Sequence, residues 1–484
     1  LKVQVPAIPN LSAPRSIFAG LHMTAQRTEM TSSRPSFFTR AFSPLSAGGL
    51  RNSILILVQT AVGGGVLTIS YMTRTSGLLL AGGMLVMAGL VALVSMNILM
   101  RSAVALETYS MSGLLARCLG PRSGAFLDFV LFVYGSGAVI TYFIFLGDFV
   151  PSLLTHVAGP SVVTDSLRTW CLVACGVVAI PLALPQEISA LRIVAPLGFA
   201  ALIYTAAVVI SKCVARHWNE DESLVGAGEV HFANFGRTLF QSYSICVFAY
   251  NCHLNVVPVV EELQQKTLAL GLPAEELKKK SESRIARTTS SVMLVQLVFY
   301  VFIAAGGYLT FLDVTPQNLL QAYSTSDPWI LVSRVLLSMT ILAAIPTNCN
   351  PTVRSLVGFL DACSEMLREN FGQQQKEVAE PLLQASAEEG SRLSRKYPLN
   401  RDGLRHLLVV GCLAMYVLVA IYVKDVAVVI AFLGASVGTL MMMVIPMLLM
   451  HTEFSPFISV SQKCWYTLIL SASTLLSVAS LLVI

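Results

Sequence analysis

Along its 484 residues the chain alternates long apolar stretches with short polar ones. A bilayer core takes about 20 apolar residues of helix. By that measure eleven spans are predicted, at about 53–76, 78–100, 124–149, 169–185, 189–211, 236–258, 288–312, 328–350, 404–423, 426–450 and 462–484. The fourth is short and is closed by Pro181 and Pro185. Only a turn at Gly77 separates the first from the second, so a tight hairpin is expected there. Residues 1–51 are rich in Ser, Thr, Pro and Arg, and hold no apolar run of signal-peptide length. They are expected as a disordered tail. The chain begins at Leu1 rather than at Met, which leaves its natural start open. Residues 52–484 then form one transmembrane domain. Within it, 365–403 is rich in Gln, Glu, Ser and Arg and is expected as a flexible loop without a cofactor motif.

Composition agrees with an all-α, multi-pass membrane protein embedded in a lipid bilayer. Hydrophobic residues make up 55% of the chain and charged residues 12%, against about 25% charged in a soluble domain. A net charge of +5 gives no surface suited to nucleic acid. The ten cysteines are scattered, and only Cys171 and Cys175 lie near each other, at helical spacing in an apolar run. That is neither a disulfide framework nor a zinc site. The basic residues do change the picture. With eleven spans, the tail and the loops after the even spans share one side of the membrane, and they hold 25 of the 32 Lys and Arg residues. The positive-inside rule places that side, with the N-terminus, in the cytosol. It leaves the C-terminus on the other face.

Two of the predicted spans are interrupted. In the first, Gly63-Gly64-Gly65 follow Gln59-Thr60-Ala61-Val62. Three glycines hold a helix poorly. Two readings stand beside each other: close helix packing, or a break whose freed backbone groups line a cavity and bind something. The sixth span favours the break, because it too carries polar groups at mid-membrane. Asn251, His253 and Asn255 are weak helix formers, and Pro258 follows them. His253 has two roles open to it, an interhelical hydrogen bond or a proton relay. Asp128, Asp148 and Arg334 are the remaining charges near spans. Intramembrane charges are functional candidates, although residues near span ends also snorkel to the interface.

These motifs resemble a known family. Phe248-Ala249-Tyr250, Cys252-His253, Pro258-Val259 and Glu261-Glu262-Leu263 are similar to the sixth-helix signature of the amino acid/auxin permease family, and closest to its neutral amino acid transporter branch. Gln59 through Tyr71 resembles that family's first helix. Leu146-Gly147-Asp148-Phe149-Val150-Pro151 resembles the end of its third, and Ile345-Pro346 through Ser355 resembles its eighth. The likeness covers roughly 47–484 apart from the 365–403 loop.

The resemblance implies a LeuT-like fold: two inverted five-helix halves, one extra helix, and broken helices 1 and 6. It implies a secondary transporter, a symporter or exchanger, moving neutral or cationic amino acids by alternating access across the plasma membrane or an endosomal or vacuolar membrane. No enzymatic activity, cofactor or resident metal is expected. The substrate carboxylate would meet freed N–H groups at Gly63, Gly64 and Gly65, beside Thr60. The amino group would meet carbonyls between Phe248 and Asn251. The rings of Phe248 and Tyr250 would close over the ligand or serve packing. Coupling and gating candidates are Gln59, Asp148, His253 and Ala344. Sodium-coupled members carry an Asn where this chain has Gln59, and a Thr where it has Ala344. Alanine offers no side-chain oxygen to a hard cation, so H+ coupling or sodium-independent exchange is expected ahead of Na+ coupling. Two other classes stand beside this one. An intramembrane aspartyl protease fails because Asp128 and Asp148 lie twenty residues apart on one span, about 30 Å. An amino acid sensor on the same fold, signalling through the tail or the 365–403 loop, is left open by the sequence.

Overall fold

The structure, a computed structural model, describes residues 48–61, 63–159, 161, 163–185, 191–219, 228–379, 401–452 and 458–484. Of the expected tail, residues 1–47 lie outside the described residues. The described part is helical, and no strand occurs in it. Its helices are α1 (Leu50–Ala61), α2 (Ile69–Ser76), α3 (Leu78–Ala105), α4 (Met111–Leu119), α5 (Pro121–Ala158), α6 (Leu167–Ala183) and α7 (Leu191–Asn219). They continue with α8 (Thr238–Ala249), α9 (His253–Leu268), α10 (Ala274–Phe311), α11 (Pro328–Ala379), α12 (Arg401–Tyr422), α13 (Val426–Leu433), α14 (Ile445–Met450) and α15 (Val460–Ala479). Among the described residues nine helical stretches are long and apolar enough to cross a membrane, ten if the bent pair at the chain's start counts as one span. The predicted fourth span corresponds to α6, a shorter apolar helix of 17 residues.

The hairpin expected at Gly77 is present. This glycine has φ +86, a conformation that disfavours side chains, and a Cβ there would come within 2.7 Å of the Ala233 backbone nitrogen. The 231–234 segment docks onto the turn through Leu78 N–H to His231 O and Asn234 N–H to Ser76 O. Two boundaries differ from expectation. Helix α1 begins at Leu50, inside the expected tail. Helix α11 runs on to Ala379, so the segment expected as a loop from 365 is helical for its first fifteen residues. The Glu, Gln, Arg and Lys residues at 365–379 carry good helix propensity, so a polar composition does not by itself mean a loop. Residues 380–400 lie outside the described residues.

Long helices α5 and α11 form the centre of the bundle and pack along one another. Helix α5 buries one residue after another through its middle, from Tyr134 to Phe149. Small residues permit the close fit: a Cβ on Gly135 would strike the Thr352 side chain of α11, and one on Gly137 would strike Leu433 of α13. Helix α3 packs on α10 and α9, and α8 rests against α13 and the π-helical turns that follow it at Gly434–Gly438. Outward faces carry exposed Leu, Val, Phe and Trp, such as Trp170, Leu294 and Trp329. That is the distribution a lipid-facing bundle requires, because the surrounding solvent is itself apolar.

Candidate substrate site between two helix breaks

The first span breaks where the glycines predict. Helix α1 ends at Ala61, a 3-10 turn occupies Gly64–Thr68, and the axis turns by 53° between Leu50–Ala61 and Gly65–Ser76. The glycines are also points of contact. A Cβ on Gly63 would lie 2.7 Å from the Tyr142 hydroxyl of α5, and one on Gly65 would lie 3.2 Å from the Ala249 Cα at the end of α8. Packing and helix interruption therefore coincide here. The missing side chains let α5 and α8 approach an interrupted backbone.

The sixth span breaks at Tyr250-Asn251-Cys252, between α8 and α9. Pro258 lies within α9 rather than at the break. It stands past the first turn of that helix, where its missing N–H deprives Leu254 O of an intrahelical donor. The carbonyls around the break already have partners. Ala249 O accepts from the Tyr300 hydroxyl, and Asn251 O accepts from the Tyr134 hydroxyl at 3.4 Å. The two breaks are tied to each other, since Asn255 Nδ2 donates to Thr60 Oγ1 at 2.9 Å and Thr60 in turn donates to Ile56 O.

A small cavity lies between the breaks. Thr60 and Gly63 line it from the first break, Phe248 and Asn251 from the second, Tyr134 and Tyr142 from α5, and Asn348 from α11. The rings of Tyr134 and Phe248 meet at 5.9 Å along its wall. Asn348 donates to Ala344 O at 3.2 Å and reaches the Tyr142 hydroxyl at 3.4 Å. Beyond Gly63 and Tyr142 a second cavity is lined by Gln59, Thr340, Ala344 and apolar neighbours. The Gln59 Oε1 atom is buried and has no hydrogen-bond partner among the described residues, and its amide lies over Gly198, where a Cβ would collide with it.

The remaining predicted residues lie elsewhere. Tyr250 turns from the cavity: its ring meets Tyr300 edge-on at 4.9 Å and fills the space left by Gly89 on α3. His253 is fully buried, with Nε2 2.8 Å from Ser95 Oγ and Nδ1 3.1 Å from Asn251 Oδ1. Asn251 Oδ1 also accepts the His253 backbone N–H at 3.2 Å. An N–H donor fixes which end of the amide is oxygen, so Nδ1 must carry the proton and neutral Nε2 must accept from serine. Asp148 accepts from Asn318 Nδ2 at 2.9 Å and lines neither cavity. Arg334 is spent on the 3-10 turn that follows α10, donating to Leu320 O, Tyr323 O and Ser152 Oγ.

Sequence reasoning did not single out Tyr134, Tyr142 or Asn348. The signal existed. Tyr134, Ala138 and Tyr142 recur every four residues, which stacks them on one helix face, and all three line the cavity. Asn348 is a polar side chain between two prolines of a span.

The family model described as transmembrane amino acid transporter protein matches residues 46–484. The chain belongs to that family. Its similarity to a Toxoplasma gondii protein designated amino acid transporter AAT1 is 29% identity over 358 residues, 73% of this chain and 47% of that protein. It spans about half the length of the AAT1 proteins it matches, 47% and 50%. Vacuolar amino acid transporter 6 of Saccharomyces cerevisiae is 24% identical over 82% of this chain and 88% of its own length. Sodium-coupled neutral amino acid transporter 7 of Xenopus laevis is 23% identical over 87% and 86%. Among solved structures, MhsT in complex with L-phenylalanine superposes with a TM-score of 0.51 at 13% identity, covering 89% of this chain and 97% of that one. Mhp1, a nucleobase-cation-symport-1 family transporter in a closed conformation with bromovinylhydantoin bound, gives 0.50 at 12%, covering 90% and 92%. The fold is LeuT-like, and the chain is a multi-pass membrane protein of an amino acid transporter family.

Proposed function

We propose that this chain is a secondary active carrier that holds one amino acid between the two helix breaks and moves it by alternating access. The observation that carries this reading is the cavity where both breaks meet, walled by uncharged polar side chains deep in an apolar bundle. The substrate carboxylate is assigned to the backbone N–H groups at Gly63 to Gly65, where the following turn and α2 present their N-terminal ends. The amino group is assigned to Asn251 O, which accepts a long bond from Tyr134. Phe248 closes the wall over the ligand.

Transport is proposed to be sodium-independent, driven by H+ or by exchange. Gln59 and Ala344 share one cavity, which supports this reading. Ala344 brings no side-chain oxygen there, and the Thr340 hydroxyl is engaged with Leu336 O. Calcium-like or sodium-like hard cations need a shell of several oxygens, and Gln59 offers one. The N-terminal side is proposed to be cytosolic, on the distribution of basic residues. The membrane of residence is proposed to be the plasma membrane or an endosomal or vacuolar membrane, and the vacuolar transporter among the relatives supports the last of these. Uptake of radiolabelled amino acids into proteoliposomes, with and without imposed sodium and proton gradients, tests the reading. Saturable uptake that follows the proton gradient or counter-loaded amino acid, and ignores sodium, is expected. Uptake no greater than in empty vesicles would refute it.

A further inference from the structure

Resting on the carrier reading, we infer that Glu262 and Arg284 are positioning residues of the transport cycle, which latch the backbone of Gly48 and so hold α1 against α9 and α10 until the cavity opens toward the N-terminal side. Glu262 belongs to the sixth-span motif Glu261-Glu262-Leu263, none of whose residues lines either cavity. It lies on α9, and its carboxylate accepts the Gly48 N–H at 3.2 Å. Arg284, on α10, donates to the Gly48 carbonyl at 2.6 Å and to Thr267 Oγ1 of α9 at 2.7 Å. Thr267 is in turn fixed by donating to Leu263 O at 2.7 Å. Both backbone groups of one buried residue are thus gripped by charged side chains from two helices. Glycine suits the place, since φ is +63 and a Cβ would strike the Glu262 backbone carbonyl.

Gly48 stands two residues before α1, the piece of the first span that the glycines cut free. The axis of α1 departs by 53° from that of the helix beyond the break. Leu50–Ala61 spans about 18 Å at 1.5 Å per residue, so the latch and the cavity lie at its two ends. Between them α1 packs on α7, α9 and α10. At the cavity end its tie to α9 is the 2.9 Å bond from Asn255 to Thr60; at the far end it is Gly48. An unbroken span would have to move whole. A broken one lets α1 swing on Gly63-Gly64-Gly65, and Thr60 and Ala61 are the part of the cavity wall that leaves with it. The far end travels furthest, so a hold placed there resists the swing with the greatest leverage. The latch is also reversible. Glu262 is exposed and Arg284 partly so, and when the latch parts both charges and the peptide meet water. Each charge-assisted bond then weighs roughly tenfold or more in the closed-to-open ratio.

The test is the rate of maleimide labelling of a cysteine placed at Ser53, buried near the start of α1, in the purified full chain without its native cysteines. A companion protein keeps native Cys412, buried on α12, as its one cysteine. Gly48→Ala, Glu262→Ala and Arg284→Ala should each speed labelling at Ser53 by roughly tenfold and leave labelling of Cys412 near its native rate. Lys279→Gln, at an exposed position of α10, should alter neither. Labelling at Ser53 that keeps its native rate in all three latch variants would overturn the inference. So would equal acceleration at Ser53 and Cys412, because the three residues would then support the fold as a whole rather than the seating of α1. Uptake of radiolabelled amino acids is read separately in proteoliposomes, and a native protein that carries none would overturn the carrier reading, whatever the labelling shows.

Discussion

The closest approach in the site predicts a measurable coupling between Gly63 and Tyr142. Adding a methyl at Gly63 places Cβ 2.7 Å from the Tyr142 hydroxyl, 3.0 Å from Cε1 and 3.3 Å from Cζ, where ordinary contact begins at 3.4 Å. The ring must retreat by about 0.7 Å, and it is buried in α5 with Asn348 behind its hydroxyl. Overpacking of this kind costs about 1–3 kcal/mol. If the strain falls on the substrate-binding state, uptake drops by roughly 5- to 150-fold, since 1.4 kcal/mol is a factor of ten. Tyr142→Phe removes the atom in closest contact and gives up only the 3.4 Å bond from Asn348. The double variant should therefore transport better than the product of the two single effects, with a coupling of about 1 kcal/mol or more. Initial uptake rates in proteoliposomes supply the cycle, and detergent-solubilised melting temperatures show that each variant is folded. Additivity within about 0.5 kcal/mol, or a Gly63→Ala variant with native uptake, would refute the packing geometry assigned to the first break.

Three further outcomes are expected. Gly434→Ala should lower thermal stability by several degrees, because its Cβ would lie 2.0 Å from the Ser244 carbonyl oxygen, while Gly411→Ala, with nothing within 4 Å, should raise it or leave it unchanged; melting curves of both distinguish crowding from helix propensity. Replacing sodium by choline at fixed pH should change the uptake rate little, and a steep saturable sodium dependence would show that oxygens other than side chains at Gln59 and Ala344 complete a cation site. Single cysteines at exposed Lys279 and Lys424, in a background without the ten native cysteines, should respond oppositely to an impermeant thiol reagent outside sealed, right-side-out vesicles: Lys424 labels and Lys279 does not, and the reverse would invert the topology drawn from the basic residues.

Much of this was legible in the sequence because membranes impose simple rules. A run of apolar residues must become a helix, and an interruption of glycines or of Asn and His within such a run must have somewhere to send its backbone. Gly63-Gly64-Gly65 and Asn251 accordingly fall at breaks in the structure. What the sequence could not supply was direction around each helix. Phe248 and Tyr250 are two residues apart, so they point to opposite sides; one lines the cavity and the other packs on Tyr300. Asp148 stood out because a charge near a membrane span is expensive, yet its partner Asn318 lies 170 residues further along the chain. Tyr134, Tyr142 and Asn348 needed the opposite insight, that neutral polar groups on one helix face can matter more than charges. The 365–379 segment was misjudged because composition distinguishes polar from apolar far better than it distinguishes helix from loop.

The central claim is that an amino acid sits between the two breaks. Cryo-electron microscopy of the full chain, saturated with whichever amino acid gives the highest uptake in proteoliposomes, tests it most directly. Density for the ligand is predicted between Gly63 and Asn251, against Phe248 and Tyr142, with its carboxylate toward the glycines. A well-resolved amino acid elsewhere in the bundle, with this cavity closed and unchanged, would contradict the account.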